Sequence, residues 1–148
     1  PRIGGLEARV DALVFPDTDL RALIETHLQA GPLDCVLIDE AQFLSPEQVR
    51  QLCSVADFLD VPIMCYGLRA DFRAELFPGS AALMALADDI EELKTICWCG
   101  KKATFNARVV DGKVIKTGEQ IVLGGSESYT SLCRKHWMEG KLGEPKGE

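Results

Sequence analysis

The sequence lacks three features that would place it in a broad protein class at once. It has no apolar run of about 18 residues, the length that a membrane-spanning helix needs. It does not open with the charged and then apolar segment of a secretory signal peptide. It has no excess of positive charge, because 23 acidic residues outnumber 16 basic ones and give a net charge of −7. We therefore expect no membrane association and no nucleic-acid partner.

The sequence also lacks internal repeats and low-complexity tracts. Its 47% hydrophobic and 26% charged residues are close to the average of globular proteins. A chain of 148 residues is long enough to bury a core without disulfide bonds. These properties exclude a disordered chain, a collagen-like repeat and a simple coiled coil. Because the chain begins at Pro1 and not at Met, we expect the numbering to start inside a longer protein.

A strand–helix–strand pattern occupies residues 35–66. Residues 35–38 and 61–66 are short apolar runs, typical of parallel strands that are buried on both faces. Between them, residues 45–48 (Ser-Pro-Glu-Gln) have the pattern of a helix start. An earlier helix is predicted from Thr18, with Thr18 or Asp17 as its N-cap. This βαβ unit predicts an α/β fold with a parallel sheet.

The chain beyond this unit changes character. Residues 78–87 are predicted to form a helix, and residues 92–96 a further strand that leads out of the sheet. Asp111-Gly112 lies between two strand-like segments and predicts a hairpin. From Glu139 the charged, glycine-rich sequence predicts a disordered tail. The predicted units are a partial α/β domain at 1–94, a β-rich lobe at 95–138 and the tail at 139–148.

Asp39 and Glu40 directly follow the first predicted strand. The carboxyl ends of strands are where ligands bind in open α/β sheets. In P-loop proteins an Asp at this point helps to hold Mg²⁺, and a neighbouring carboxylate can accept a proton from the nucleophile. Because side chains alternate along a strand, the two acids can hold different roles. The alternative is that both are surface acids in a turn.

A second candidate site consists of three cysteines and one histidine: Cys97, Cys99, Cys133 and His136. This donor set binds zinc tetrahedrally, and four protein ligands indicate a closed, structural site. The single residue between the first two cysteines is fewer than the usual two to four. Without a secretory signal, we expect the cysteines to be reduced, in the cytoplasm.

The loop after the second predicted strand is a third candidate, at residues 68–73. It can add an aromatic ring and positive charge to the crevice that holds Asp39 and Glu40. Arg69 and Arg73 could contact phosphate, or they could form salt bridges with Asp71 or Glu75. The sequence leaves both possibilities open.

Four motifs, in order and with consistent spacing, carry a family resemblance. They are Asp39-Glu40-Ala41-Gln42-Phe43, Tyr66-Gly67-Leu68-Arg69-x-Asp71-Phe72-Arg73, Leu93-Lys94-x-Ile96-Cys97 and Gly124-Gly125-x-x-x-Tyr129-x-x-x-Cys133-Arg134-Lys135-His136. Together they resemble the cytosolic-type (type II) thymidine kinases, especially the bacterial branch. The resemblance implies a P-loop NTPase-like fold with an added zinc lobe. It also implies Mg²⁺-dependent transfer of the γ-phosphoryl of ATP to the 5′-hydroxyl of thymidine in nucleotide salvage, a homotetramer, and feedback by dTTP.

The resemblance further implies roles for single residues. Glu40 matches the general base, and Asp39 matches the acid that organises Mg²⁺ with ATP. The residues that match the thymine pocket are Leu68, Phe72 and Tyr129, with Phe43 beside them. Gly124 and Gly125 match the start of the loop that closes over the base. The matches to the structural zinc ligands are Cys97, Cys99, Cys133 and His136.

One family motif is missing from these residues, the phosphate loop G-x-x-x-x-G-K-[ST]. We expect the segment that carries it to lie outside this sequence, and the chain alone to be inactive without it. Two alternatives remain at this stage. The Asp-Glu-Ala-Gln motif also resembles helicases, which suggests a helicase-like NTPase fragment, and the Cys/His set suggests a zinc-stapled, non-catalytic binding module.

Overall fold

The computed structural model of the chain describes residues 2–3, 6–7, 10–120 and 128–143. Its helices are α1 (Leu20–Ala30), α2 (Pro46–Leu59), α3 (Pro78–Leu86) and α4 (Arg134–Glu139), with a short 3-10 helix at Ala41–Phe43. Its strands are β1 (Arg2–Ile3), β2 (Leu6–Glu7), β3 (Val36–Ile38), β4 (Ile63–Cys65), β5 (Thr95–Ile96), β6 (Lys102–Ala103), β7 (Phe105–Val110), β8 (Lys113–Ile115) and β9 (Ser128–Leu132). In these ranges no helix combines the length and hydropathy needed to cross a lipid bilayer.

The predicted βαβ unit is present. β3 and β4 pair in parallel, with Val36 opposite Ile63, and α2 connects them. The start of α2 is a capping box: Ser45 Oγ accepts from the Gln48 backbone N–H at 3.1 Å, and Gln48 Oε1 accepts from the Ser45 N–H at 3.0 Å. Among the described residues β3 and β4 are the one parallel pair, so the wider P-loop-type sheet stays a prediction.

α1 begins later than its sequence pattern predicts, and Asp19 is its N-cap in place of Asp17 or Thr18. Asp19 Oδ1 accepts from the Ala22 N–H at 3.0 Å. The Thr18 hydroxyl accepts from the Phe15 N–H at 2.8 Å and closes the preceding turn. Because that turn occupies Thr18, the next polar side chain caps the helix.

One hydrophobic core lies where α1 and α2 pack on the β3–β4 pair. Its buried members are Leu20, Ile24, Ala41, Leu44, Val49, Leu52, Val55 and Val61. Val36 and Ile38 pack against this core, but Leu37 points away and is 61% exposed. The prediction that both strands are buried on both faces is therefore wrong. Side chains alternate along a strand, and nothing in the described ranges covers the second face.

A second, smaller core lies in the C-terminal lobe. Its buried residues are Cys97, Ala103, Ala107, Leu132 and Cys133. The hairpin predicted at Asp111-Gly112 joins β7 to β8, and both turn residues have positive φ, 48° and 70°, as such two-residue turns require. β9 pairs antiparallel with the other edge of β7.

Two segments differ from their sequence expectation. The strand predicted at 92–96 is limited to β5, and it pairs with β6 in the second lobe instead of continuing from the first sheet. Residues 139–143 belong to the predicted tail, yet Glu139 ends α4, the Lys141 N–H donates to the His136 carbonyl, and Leu142 packs on the second core. Residues 144–148 lie outside the described residues, and the domain boundary near residue 94 stays a prediction.

α3 packs directly on the 3-10 helix through Gly79. A Cβ at this position would lie 2.4 Å from the Leu44 carbonyl oxygen and 2.8 Å from that of Gln42. Carbon atoms do not approach oxygen so closely, so the missing side chain lets the two backbones touch. This contact fixes the 3-10 turn that follows Asp39 and Glu40.

Replacing Gly79 with Ala should lower the free energy of unfolding by about 1–3 kcal/mol, the usual cost of overpacking. The control is Gly31→Ala, because a Cβ at Gly31 meets nothing within 4 Å and its φ of 168° is ordinary extended backbone. Urea denaturation of both variants measures the difference. If both variants had the same free energy of unfolding, the backbone around Gly79 would accommodate a methyl group without destabilising the fold.

Candidate functional site

Asp39 and Glu40 form an exposed turn at the carboxyl end of β3. Glu40 has φ 52° and ψ 37°, a left-handed conformation that is uncommon for a residue with a side chain. The Asp39 carboxylate accepts from the Glu40 N–H at 2.9 Å and stabilises that turn. Both side chains reach solvent at the end of the strand where α/β proteins bind ligands.

Gln42 is the buried side chain behind this turn, and it is 2% exposed. Its Nε2 donates to Glu40 Oε2, and its Oε1 accepts from the Leu68 backbone N–H at 3.1 Å. Leu68 lies beyond β4, so one carboxamide links the segments that follow both parallel strands. Sequence reasoning assigns Gln42 no role. The sequence does contain one signal for such a role. Gln42 is a polar residue two positions after Glu40, and its neighbours Ala41 and Phe43 are apolar.

The loop after β4 is held by Asp71, which is buried. Its Oδ1 accepts from the backbone N–H groups of Arg73 and Glu75, each at 2.9 Å. The Arg73 guanidinium pairs with Asp71 at 2.9 Å and with Glu75 at 2.8 Å, so for Arg73 the salt-bridge alternative is the observed one. Burial alone would raise the pKa of Asp71, but the hydrogen bonds from Glu75 and Arg73 hold it below its usual value.

Three of the four side chains predicted to wall a base pocket are accessible. Phe43 is 55% exposed, Leu68 41% and Tyr129 49%. The Phe43 ring packs edge-on against Phe77, with centroids 5.6 Å apart. Gly124 and Gly125, predicted to begin the closing loop, lie outside the described residues.

Phe72, the fourth predicted wall residue, is 3% exposed and lies at the junction of the two lobes. The Arg108 guanidinium is 5.3 Å from the centre of its ring, and Trp137 Nε1 donates to its carbonyl at 3.1 Å. The neighbouring Arg73 donates to the Gly118 carbonyl at 3.2 Å. The loop after β4 is therefore anchored to the C-terminal lobe.

The predicted metal ligands come together in that lobe. The ligand atoms of Cys97, Cys99, Cys133 and His136 all lie within 4.8 Å of one another. Cys97 Sγ is 3.5 Å from His136 Nδ1, and Cys99 Sγ is 4.0 Å from Cys133 Sγ. In a tetrahedral site with Zn–S of about 2.3 Å and Zn–N of about 2.0 Å, ligand atoms are about 3.5–3.8 Å apart. The group could hold a metal ion, and the one-residue Cys97–Cys99 spacing does not prevent it.

Protonation of the thiols differs within the cluster. Burial would raise the pKa of Cys97, but hydrogen bonds from the backbone of Cys99 and Cys133 and from the His136 side chain lower it to about 6. At Cys99 a backbone hydrogen bond from Lys101 lowers the pKa, yet desolvation and the neighbouring thiols outweigh it and the pKa is raised. The lowered pKa of Cys97 favours its thiolate, which is the form that binds metal.

Trp98 fills the single position between Cys97 and Cys99. Its ring stacks on the His136 imidazole, with centroids 4.3 Å apart and planes at 11°. Its Nε1 donates to the Lys141 carbonyl at 3.3 Å. The stack holds the imidazole with Nδ1 toward Cys97.

Known proteins resemble this chain over most of its length. The protein-family model described as thymidine kinase matches residues 9–137. A thymidine kinase of Ruegeria pomeroyi is 54% identical over 142 residues, which are 95% of this chain and 71% of that protein. One of Jannaschia sp. is 56% identical over 142 residues (93% and 72%), and one of Haemophilus influenzae is 52% identical over 143 residues (93% and 74%). The chain therefore belongs to the thymidine kinase family.

Proposed function

We propose that this protein is a thymidine kinase, which transfers the γ-phosphoryl of ATP to the 5′-hydroxyl of thymidine to give dTMP. The observation that carries the proposal is the exposed Asp39–Glu40 pair at the end of β3, in a chain of this family. The helicase-like and binding-module alternatives are not favoured, because relatives named thymidine kinase are 52–56% identical over most of the chain.

In this proposal the two acids have different roles. Glu40 accepts the proton of the 5′-hydroxyl while the 5′-oxygen forms its bond to the γ-phosphorus and the bond to the ADP oxygen breaks. Asp39 would hold the Mg²⁺ that accompanies ATP, and that ion offsets the charge that develops on the phosphates. Because the Glu40 carboxylate reaches solvent, its proton can leave to water after each turnover.

The nucleoside would bind beside these acids. Phe43, Leu68 and Tyr129 offer accessible apolar and aromatic surface, which suits a flat base. Phe72 would contribute from the lobe junction, and Gly124 and Gly125 from the closing loop. The family resemblance supports three further proposals: a homotetramer, feedback inhibition by dTTP, and a cytoplasmic location.

Replacing Glu40 with Gln should lower kcat for thymidine by about 10²–10⁴-fold, because an amide of the same shape cannot accept the proton. The KM for thymidine should change little. Steady-state assays of the full protein with ATP and Mg²⁺ measure both constants.

The control for this variant is Glu47→Gln. Glu47 is an exposed carboxylate in the first turn of α2, 3.5 Å from Arg50, and its loss should leave turnover unchanged. An unchanged kcat in Glu40→Gln would refute the base assignment. Failure of the wild-type protein that includes the phosphate-loop segment to phosphorylate thymidine would refute the proposed function itself.

We also propose that the cluster of Cys97, Cys99, Cys133 and His136 binds a structural zinc ion. The distances and the three-thiol, one-imidazole set support zinc. The second core contains five buried residues, two of them from the cluster, so the lobe has little apolar core of its own. Four side chains that bind one ion would tie β5, the turn after it and the start of α4 together.

The purified protein should contain about one zinc per chain, and Cys133→Ser should lose it. Loss of zinc should also change the fluorescence of Trp98, because its stacking partner His136 would be released. Metal analysis and emission spectra measure the two effects. Cys35→Ser is the matched control, since Cys35 is exposed and outside the cluster. Zinc far below one per chain in the wild-type protein would contradict the proposal.

A further inference from the structure

The carboxamide of Gln42 contacts two parts of the proposed active site at once. Its donor end meets the Glu40 carboxylate, the proposed base, and its acceptor end meets the peptide N–H of Leu68, in the proposed nucleoside loop. We infer that Gln42 is a positioning residue that aligns the base with the nucleoside. This inference rests on the proposed function and adds a residue to it.

The orientation of the amide follows from its partners. A carboxylate can only accept a hydrogen bond and a peptide N–H can only donate one. Nε2 must therefore face Glu40, and Oε1 must face Leu68. Among side chains of this length, Gln is the one that carries both an amide donor and a carbonyl acceptor. Glu keeps an acceptor and loses the amide donor, and Met has a similar length but neither group.

Two further contacts fix the segment that Gln42 meets after β4. A Cβ on Gly67 would lie 2.5 Å from Gln42 Oε1, so the glycine lets this peptide approach closely. The Leu68 carbonyl accepts from the buried Ser80 hydroxyl at 2.6 Å. The Leu68 residue is thus held at its N–H by Gln42 and at its carbonyl by α3.

Glu40 itself needs such a partner. Its side chain is exposed and has several rotatable bonds, so solvent alone would leave the carboxylate in many positions. Turnover depends on a reacting group that stays within hydrogen-bond reach of the 5′-hydroxyl. The Gln42 amide is buried and is hydrogen-bonded to Leu68 at its other end, so its hydrogen bond to Glu40 favours one position of the Glu40 carboxylate.

The test compares two variants of Gln42 in the full protein. Gln42→Glu should lower kcat for thymidine by about ten- to hundredfold with little change in KM, because a second carboxyl group beside Glu40 repels its carboxylate or shares its proton, while an acceptor for Leu68 remains. Gln42→Met should lower kcat at least as much and also raise KM severalfold, because the Leu68 peptide is released too. Hydrogen exchange at the Leu68 amide should accelerate in the Met variant more than in the Glu variant.

The matched control is Gln48→Met. Gln48 is equally buried and makes two hydrogen bonds to backbone carbonyls, but these are in the turn before α1. This variant should lower Tm while kcat and KM stay within about twofold of wild type. If the Gln42 variants lower Tm like the control and leave kcat unchanged, Gln42 is merely structural and the inference is wrong. Inactivity of the wild-type protein that includes the phosphate-loop segment would overturn the proposed function, which is a different result.

Discussion

The turn that follows β3 depends on close backbone packing from two sides. A Cβ on Gly79, in the first turn of α3, would lie 2.4 Å from the Leu44 carbonyl oxygen. A Cβ on Gly67, after β4, would lie 3.0 Å from the Gln42 backbone nitrogen and 2.5 Å from the Gln42 side-chain oxygen. Backbone contact of this kind is less adjustable than contact between side chains, because no rotamer change can relieve it. The positions of Asp39, Glu40 and the Leu68 peptide therefore follow from the packing of two segments on one short 3-10 helix.

The second lobe is connected to this site through the loop after β4. Trp137 is adjacent to His136 of the metal cluster, and its indole N–H donates to the Phe72 carbonyl. Arg108 of β7 lies over the Phe72 ring, and Arg73 bonds to Gly118. An ion on the cluster would thus stabilise the surface on which the loop after β4 rests, at a distance from Asp39 and Glu40.

Local patterns in the sequence were sufficient for several parts of this structure. Three features were predictable because their residue types are found in few other structural settings. They are the Ser45–Gln48 capping box, the Asp111-Gly112 turn and the Cys/His cluster. Tertiary contacts decided the rest. Phe72 is buried because the second lobe covers it, and Leu37 is exposed because no described element lies on its side of the sheet. Neither outcome can be derived from neighbours in sequence. The N-cap of α1 was missed for a local reason, because the Thr18 hydroxyl accepts from the Phe15 N–H three residues before it.

The buried polar side chains mark the parts of the fold whose geometry is most restricted by hydrogen bonds. In the described residues they are Gln42, Gln48, Asp71 and Ser80, and no buried side-chain nitrogen or oxygen there lacks a partner. Burying such groups is unfavourable unless their hydrogen bonds are made, so each accepts a narrow range of geometries. Three of the four surround the turn after β3 and the loop after β4, whereas the apolar core lies behind them. Apolar packing accounts for the stability of this unit, and directional hydrogen bonds account for the placement of Glu40 and the Leu68 peptide. In the proposed function, this division lets exposed acids serve a reaction that tolerates little displacement.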